Sequence, residues 1–86
     1  MKKLKRITNK VLENCKVCYF ASGVFRGSAS GSFESLSDAI HYGNYQDSRM
    51  PYDTVEIFSN TEQFYGGWRV IRGNYDGSIS GYKRID

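Results

Sequence analysis

One stretch alone carries a full set of helix signals. In Ser35-Leu36-Ser37-Asp38-Ala39-Ile40-His41-Tyr42-Gly43 the Ser35 hydroxyl is placed to accept from the first-turn N–H groups. Asp38 three residues on suits the positive end of the helix dipole, and Gly43 is placed to close the helix in a left-handed conformation. Leu36, Ala39 and Ile40 form its apolar side. A helix of two turns does not persist in water by itself. It needs a surface to lean on, and the segments on both sides of it read as strands.

Before the helix, residues 17–21 are dense in β formers, and Ser22-Gly23 offers a two-residue turn into Val24, Phe25 and Arg26, which predicts a hairpin. The small-residue tract Gly27-Ser28-Ala29-Ser30-Gly31-Ser32 either prolongs the second strand along a sheet edge or forms a flexible link. After it, residues 44–51 read as a polar surface loop. Residues 54–59 alternate, with Val55 and Ile57 on one face and Glu56 and Phe58 on the other. Asn60-Thr61-Glu62-Gln63 turns the chain into a strand over residues 64–72. Gly73-Asn74-Tyr75-Asp76-Gly77 then forms a connection rich in residues that tolerate positive φ, and residues 78–85 return. The expected fold is α+β, in the order ββαβββ: an antiparallel sheet of four to five strands with one short helix packed on one face.

Composition supports the sheet. Ile and Val number 11 against 3 Leu and 3 Ala, and 13 aromatic rings join them. With 86 residues there is room for one core, and Leu, Ile, Val and Phe together number 19, enough for a small one. A single domain over 1–86 is expected, with a basic N-terminal segment, 1–16, and an α+β body, 17–86.

The net charge of +3 is unevenly spread. Lys2, Lys3, Lys5, Arg6, Lys10 and Lys16 face only Glu13 within the first sixteen residues, whereas the rest holds six basic and eight acidic side chains. A cluster such as Lys2, Lys3, Lys5 and Arg6 attracts nucleic-acid phosphates or acidic protein surfaces without reading sequence. Leu4, Ile7, Val11 and Leu12 recur at helical spacing, which fits a short N-terminal helix. The alternative is an irregular arm leading into a strand that begins near Val11, since Thr8 and Asn9 are poor helix formers. No apolar run approaches the roughly 20 residues of a membrane span, and the basic start lacks the apolar stretch of a signal peptide. A cytoplasmic protein without a membrane partner is expected.

Catalytic and metal chemistry find little material. Cys15 and Cys18 have the spacing of half a zinc site, but His41 is the only other nitrogen or sulfur ligand, so one chain does not complete four ligands. The residues after Cys18 read as strand, which is the wrong setting for a redox pair at a helix N-terminus. Two reduced, packed thiols and no cofactor are expected. His41 is the sole histidine, and no serine sits in a nucleophile elbow. An enzyme is disfavoured.

Binding chemistry is better supplied. Tyr42, Tyr45, Arg49 and Tyr52 crowd the helix end and the following loop; Trp68, Arg69, Arg72, Tyr75, Tyr82, Lys83 and Arg84 lie on the last hairpin. Tyr, Trp and Arg dominate interface hot spots because each combines a large contact area with a polar end, and the same types stack on bases and pair with phosphates. From this set Tyr42, Tyr45, Arg49, Tyr52, Arg69, Arg72, Tyr75, Lys83 and Arg84 are the expected partner-binding residues. By alternation Arg69 and Ile71 share one face of their strand, and Trp68, Val70 and Arg72 the other.

The order of elements and the segments Glu34-Ser35-Leu36-Ser37-Asp38-Ala39-Ile40, Val55-Glu56-Ile57 and Gly67-Trp68-Arg69-Val70 resemble the small anti-CRISPR proteins of phages, over roughly residues 17–85. That likeness is one of pattern. It implies a non-enzymatic inhibitor, monomeric or homodimeric, that sits on a host protein or ribonucleoprotein surveillance complex and blocks its nucleic-acid path. A small nucleic-acid-binding module is the alternative drawn from the basic start and the sheet aromatics. A third reading comes from Trp68-Arg69-Val70-Ile71-Arg72-Gly73-Asn74-Tyr75, which resembles the C-terminal sheet of RelE/ParE-type ribonuclease toxins. Those toxins open with a strand and a longer helical hairpin, where residues 17–33 here read as strands.

Overall fold

In the computed structural model of the chain, residues 12–46, 52–73 and 78–86 are described, the side chains of residues 45 and 46 excepted. Six elements follow one another: β1 (Leu12–Ala21), β2 (Val24–Phe33), α1 (Leu36–Gln46), β3 (Thr54–Ser59), β4 (Phe64–Arg72) and β5 (Ile79–Arg84). The strands form a single antiparallel sheet in the order β2-β1-β3-β4-β5. The described residues are thus α+β with one helix, as the pattern of the chain predicts.

β1 and β2 join through Ser22 and Gly23, both at positive φ (51° and 79°), the conformation that matches the twist of a two-residue hairpin. The Asp53 carboxylate accepts the Ser22 N–H at 3.0 Å and ties this turn to the start of β3. β2 and β3 both pair with β1, so they run parallel to each other, and α1 is the crossover that carries the chain from one side of β1 to the other. β3 and β4 meet through a turn knotted by Ser59, whose hydroxyl accepts from the N–H groups of Thr61 (3.2 Å) and Gln63 (3.1 Å).

The core lies between α1 and one face of the sheet. β1 supplies Cys15, Val17 and Tyr19, β3 Val55 and Ile57, and β4 Trp68 and Val70; α1 contributes Leu36, Ala39 and Ile40, and Tyr52 enters from ahead of β3. Tyr19 and Tyr52 stack at 4.7 Å between ring centres, and their hydroxyls donate to the carbonyls of Ala39 (3.1 Å) and Ile40 (2.8 Å). Each buried O–H thereby satisfies a helix carbonyl instead of being stranded. Burial pushes the Tyr19 hydroxyl's pKa far above its ordinary value, with the neighbouring Tyr52 and Tyr42 adding to the effect.

Four expectations change or are decided. The strand begins at Leu12, ahead of the boundary expected at residue 17, because Leu12 and Cys15 are needed in the core. This agrees with the reading of a strand starting near Val11; the N-terminal helix falls on residues outside the described ones, except for Leu12, which is strand. The small-residue tract prolongs β2 as an edge strand. The helix runs through Gly43 to Gln46, so Gly43 is no cap, and the first three residues of the expected polar loop are helical. Ser35 does cap the other end: the Asp38 N–H donates to its hydroxyl at 3.1 Å. Gly43 is glycine because a Cβ there would lie 2.7 Å from Tyr52 Cε1 and 3.1 Å from Tyr19 Cε1. Among the described residues no helix is long and apolar enough to cross a membrane.

Candidate functional site

The residues expected to bind a partner divide sharply by position. Tyr52 is fully buried, which corrects its assignment: its ring fills the space beneath α1. Arg72 lies over that ring, 4.6 Å from its centre, and donates from Nε (3.2 Å) and Nη2 (2.9 Å) to the Tyr52 carbonyl and from Nη1 to Asn44 Oδ1 (3.2 Å). It is a clamp between β4, the approach to β3 and the end of the helix. The guanidinium of Arg84 covers buried Trp68 at 5.4 Å, donates to the Tyr65 carbonyl at 3.0 Å and pairs with Asp86 at 2.9 Å. Arg84 and Arg72 therefore do structural work on the helix side of the sheet, where the alternation of β4 places Arg72 with Trp68 and Val70. Tyr42 is half-buried, its ring edge-on to Phe33 at 5.3 Å. The side chain of Tyr45, and Arg49, Tyr75, Lys2, Lys3, Lys5 and Arg6, lie outside the described residues.

Arg69 and Lys83 are the two that stand exposed on the other face, the one α1 leaves uncovered. Strand register lines this face up in rows. The first crosses the whole sheet: Phe25 on β2 opposes Phe20 on β1, which opposes Thr54 on β3, then Arg69 on β4 and Lys83 on β5. At about 4.8 Å per strand the row spans about 19 Å. A second row runs Ser28, Cys18, Glu56 and Gly67, and a third Ser30, Lys16, Phe58 and Phe64. A Cβ on Gly67 would lie 3.6 Å from Ile85 Cγ1, 3.8 Å from Glu56 Cγ and 3.8 Å from Phe64 Cζ, so these side chains share the face. Likewise, Ile71 Cδ1 lies 3.9 Å from the Cβ position of Gly81.

The chemistry of this face is mixed. Phe20 and Phe25 meet edge to face at 5.8 Å, as do Phe58 and Phe64 at 5.4 Å, at opposite ends of the sheet. On this face Phe25, Ile71 and Ile85 are each about half exposed, at 56%, 49% and 49%. Arg69 and Lys83 sit directly across from each other, and among the described residues neither makes an ion pair. Like charges in that relation are destabilising. The Asp53 carboxylate attracts Arg69 without pairing with it, and an acidic group laid against both cations would offset their repulsion.

The phenylalanines and isoleucines of this face were absent from the sequence-derived set, although a signal existed. Phe58 has the wrong parity for the core in a strand whose Val55 and Ile57 point inward, and Ile71 shares its face with Arg69. A large apolar side chain on the polar side of an alternating strand marks a face with something to bind.

The remaining chemistry is occupied elsewhere. His41 donates from Nδ1 to the Ser37 carbonyl one helical turn back, at 2.7 Å. Cys15 and Cys18 are both buried free thiols: Cys15 joins the core beside Ser59 and Gly31, and Cys18 lies on the outer face between Ser28 and Glu56. Burial raises the pKa of each. Among the described residues no group of three or more His, Cys, Asp or Glu is arranged to hold a metal ion. Compared with protein-family models, curated proteins and solved structures, the chain matches none.

Proposed function

We propose that this protein is a non-enzymatic inhibitor, of phage or mobile-element origin, that docks through its helix-free sheet face on a host defence complex of the CRISPR–Cas type and blocks its nucleic-acid recognition. The observation that carries the docking role is the composition of that face: exposed Ile71, Ile85 and Phe25 around the paired cations Arg69 and Lys83. The class of target comes from the pattern resemblance.

A protein surface suits this face better than a nucleic-acid strand does. Two of its three most exposed apolar side chains, Ile71 and Ile85, are aliphatic and offer no ring for a base to stack on. The phenylalanines are engaged edge to face with one another, and Glu56 in the middle row repels phosphate. Aliphatic side chains beside an arginine and a lysine fit an acidic patch bordered by apolar residues.

The test is affinity capture from host lysate with wild-type protein and with an Ile71→Asp/Arg69→Glu/Lys83→Glu variant as baits. Retention of a nuclease or surveillance complex by the wild type, lost in the variant, supports the reading. Equal retention by both overturns the role of the face. Binding of purified protein to single-stranded or duplex nucleic acid at physiological salt, weakening steeply as salt rises, would install the nucleic-acid module instead.

A further inference from the structure

β2 ends the sheet, and it is built differently from the strand at the other end. Among the described residues β2 pairs only with β1, so one side of its ten-residue backbone presents N–H and C=O groups to no other strand. Edges of that length are ordinarily protected by charge or proline. β5, the opposite edge, is six residues long and carries Lys83 and Arg84. From residue 27 to residue 33, β2 has neither charge nor proline; its single cation, Arg26, sits at the bulge beside the hairpin turn.

The sequence of this edge reads the same in both directions: Gly27-Ser28-Ala29-Ser30-Gly31, flanked by Phe25 and Phe33. The backbone repeats the symmetry, with Gly27 at φ 154° and Gly31 at φ 152°. Register with β1 puts Ser28 opposite Cys18 and Ser30 opposite Lys16 on the helix-free face; Ala29 opposes Val17 on the helix face, with Gly27 and Gly31 on either side of it. An antiparallel strand is the natural complement of such an edge, and a strand of this same sequence is its symmetric one.

We infer that β2 is a homodimerisation edge, on which a second copy of the chain adds its own β2 antiparallel about a twofold axis through Ala29. The axis stands perpendicular to the sheet. Ala29 then meets Ala29 of the second copy, Ser28 meets its Ser30 and Ser30 its Ser28, so the hydroxyls pair on the helix-free face. Gly27 and Gly31 meet on the helix face, where the absence of side chains lets the two strands close. The bulge at Arg26 turns Phe25 to the other face, so the symmetric stretch ends at the glycines. The two sheets continue into one, and both copies present their Phe25-to-Lys83 rows on the same side. Pairing over the symmetric stretch of five residues, about 17 Å long and about 10 Å deep on each copy, gives an interface of about 340 Å² in total, which belongs to weak, reversible dimers. This inference is independent of the docking reading.

The test is sedimentation velocity on the full chain from about 1 to about 500 μM, with hydrogen exchange read at the two ends of that range. The wild type should pass from monomer to dimer across the series, with amides of residues 27–31 gaining at least several-fold protection as dimer forms. Ser28→Lys/Ser30→Lys sets lysine against lysine twice across the axis, on two exposed positions, and should stay monomeric, melting slightly below wild type because position 30 faces Lys16. Ser28→Asp/Ser30→Asp should stay monomeric too, without repelling Lys16, which separates repulsion between copies from any effect of lysine on folding. A wild type that is monomeric throughout overturns the inference, and so does a dimer that survives both double variants or that protects amides elsewhere while leaving residues 27–31 unchanged.

Discussion

Replacing a glycine inside a helix by alanine ordinarily stabilises a protein, by about 1 kcal/mol in an exposed position. Gly43→Ala in α1 should do the opposite. The added methyl carbon would stand 2.7 Å from Tyr52 Cε1, 3.0 Å from Tyr52 Cζ and 3.1 Å from Tyr19 Cε1, so the neighbours must retreat by about 0.7 Å to restore an ordinary contact of about 3.4 Å. Neither ring is free to do so. Both are buried, they pack on each other at 4.7 Å, and their hydroxyls are bonded to the Ala39 and Ile40 carbonyls of the same helix. Moving the helix outward loosens those two bonds together, at about 1 kcal/mol each. Overpacking costs about 1–3 kcal/mol more. Against the helix-propensity gain, the net is a loss of about 2–4 kcal/mol, and in a domain of this size each kcal/mol lowers the melting temperature by about 4–8 °C. Thermal and urea denaturation followed by circular dichroism measure it. Combining Gly43→Ala with Tyr52→Leu, which removes the two nearest of these atoms, should cost less than the sum of the two single changes. A Gly43→Ala protein that melts at or above the wild-type temperature would refute the packing argument and leave Gly43 as a mere helix weakener.

Arg72→Ala should lose about 2–3 kcal/mol, since one guanidinium bonds the Tyr52 carbonyl twice and covers its ring, and Arg72→Lys should recover only part of that; equal stability of Arg72→Ala and wild type in urea would remove the clamp. Hydrogen bonds from the Ser22 N–H, and then from the Thr54 hydroxyl, hold the Asp53 carboxyl below its usual pKa. A depressed carboxyl pKa contributes stability above about pH 4 that is lost as acid carries the pH down through the folded-state value. Melting temperatures measured between about pH 2 and pH 5 should therefore fall less steeply for Asp53→Asn than for wild type, and parallel slopes would refute the linkage. Cys15 and Cys18 should react with an aromatic disulfide reagent at least tenfold more slowly in the native state than in urea, and oxidation should leave them unbridged to each other, because three residues apart on β1 they point to opposite faces. Mass spectrometry showing a Cys15–Cys18 bridge in folded protein would contradict the register.

The sequence was informative wherever a local period or cap decides the outcome. Ser35 capping α1, Ser22-Gly23 turning β1 into β2, the alternation of Val55 and Ile57, and the turn at residues 60–63 all depend on neighbours a few positions away, and each stands as its residue types require. It also established that a chain with one short helix and this many β-branched and aromatic residues had to make a sheet.

What the tertiary structure decided is which partner each side chain meets across the sheet. Tyr52 and Arg72 share their residue types with interface anchors, yet one fills the space beneath α1 and the other locks it, while Arg69, three positions from Arg72, stands in the open opposite Lys83. Gly43 carries the local signature of a helix end but answers to two rings brought beneath it from β1 and from the approach to β3. Local propensity acts over a turn or a strand pair; facing and burial are set by which distant residues pack alongside, and that choice is made by the whole sheet at once.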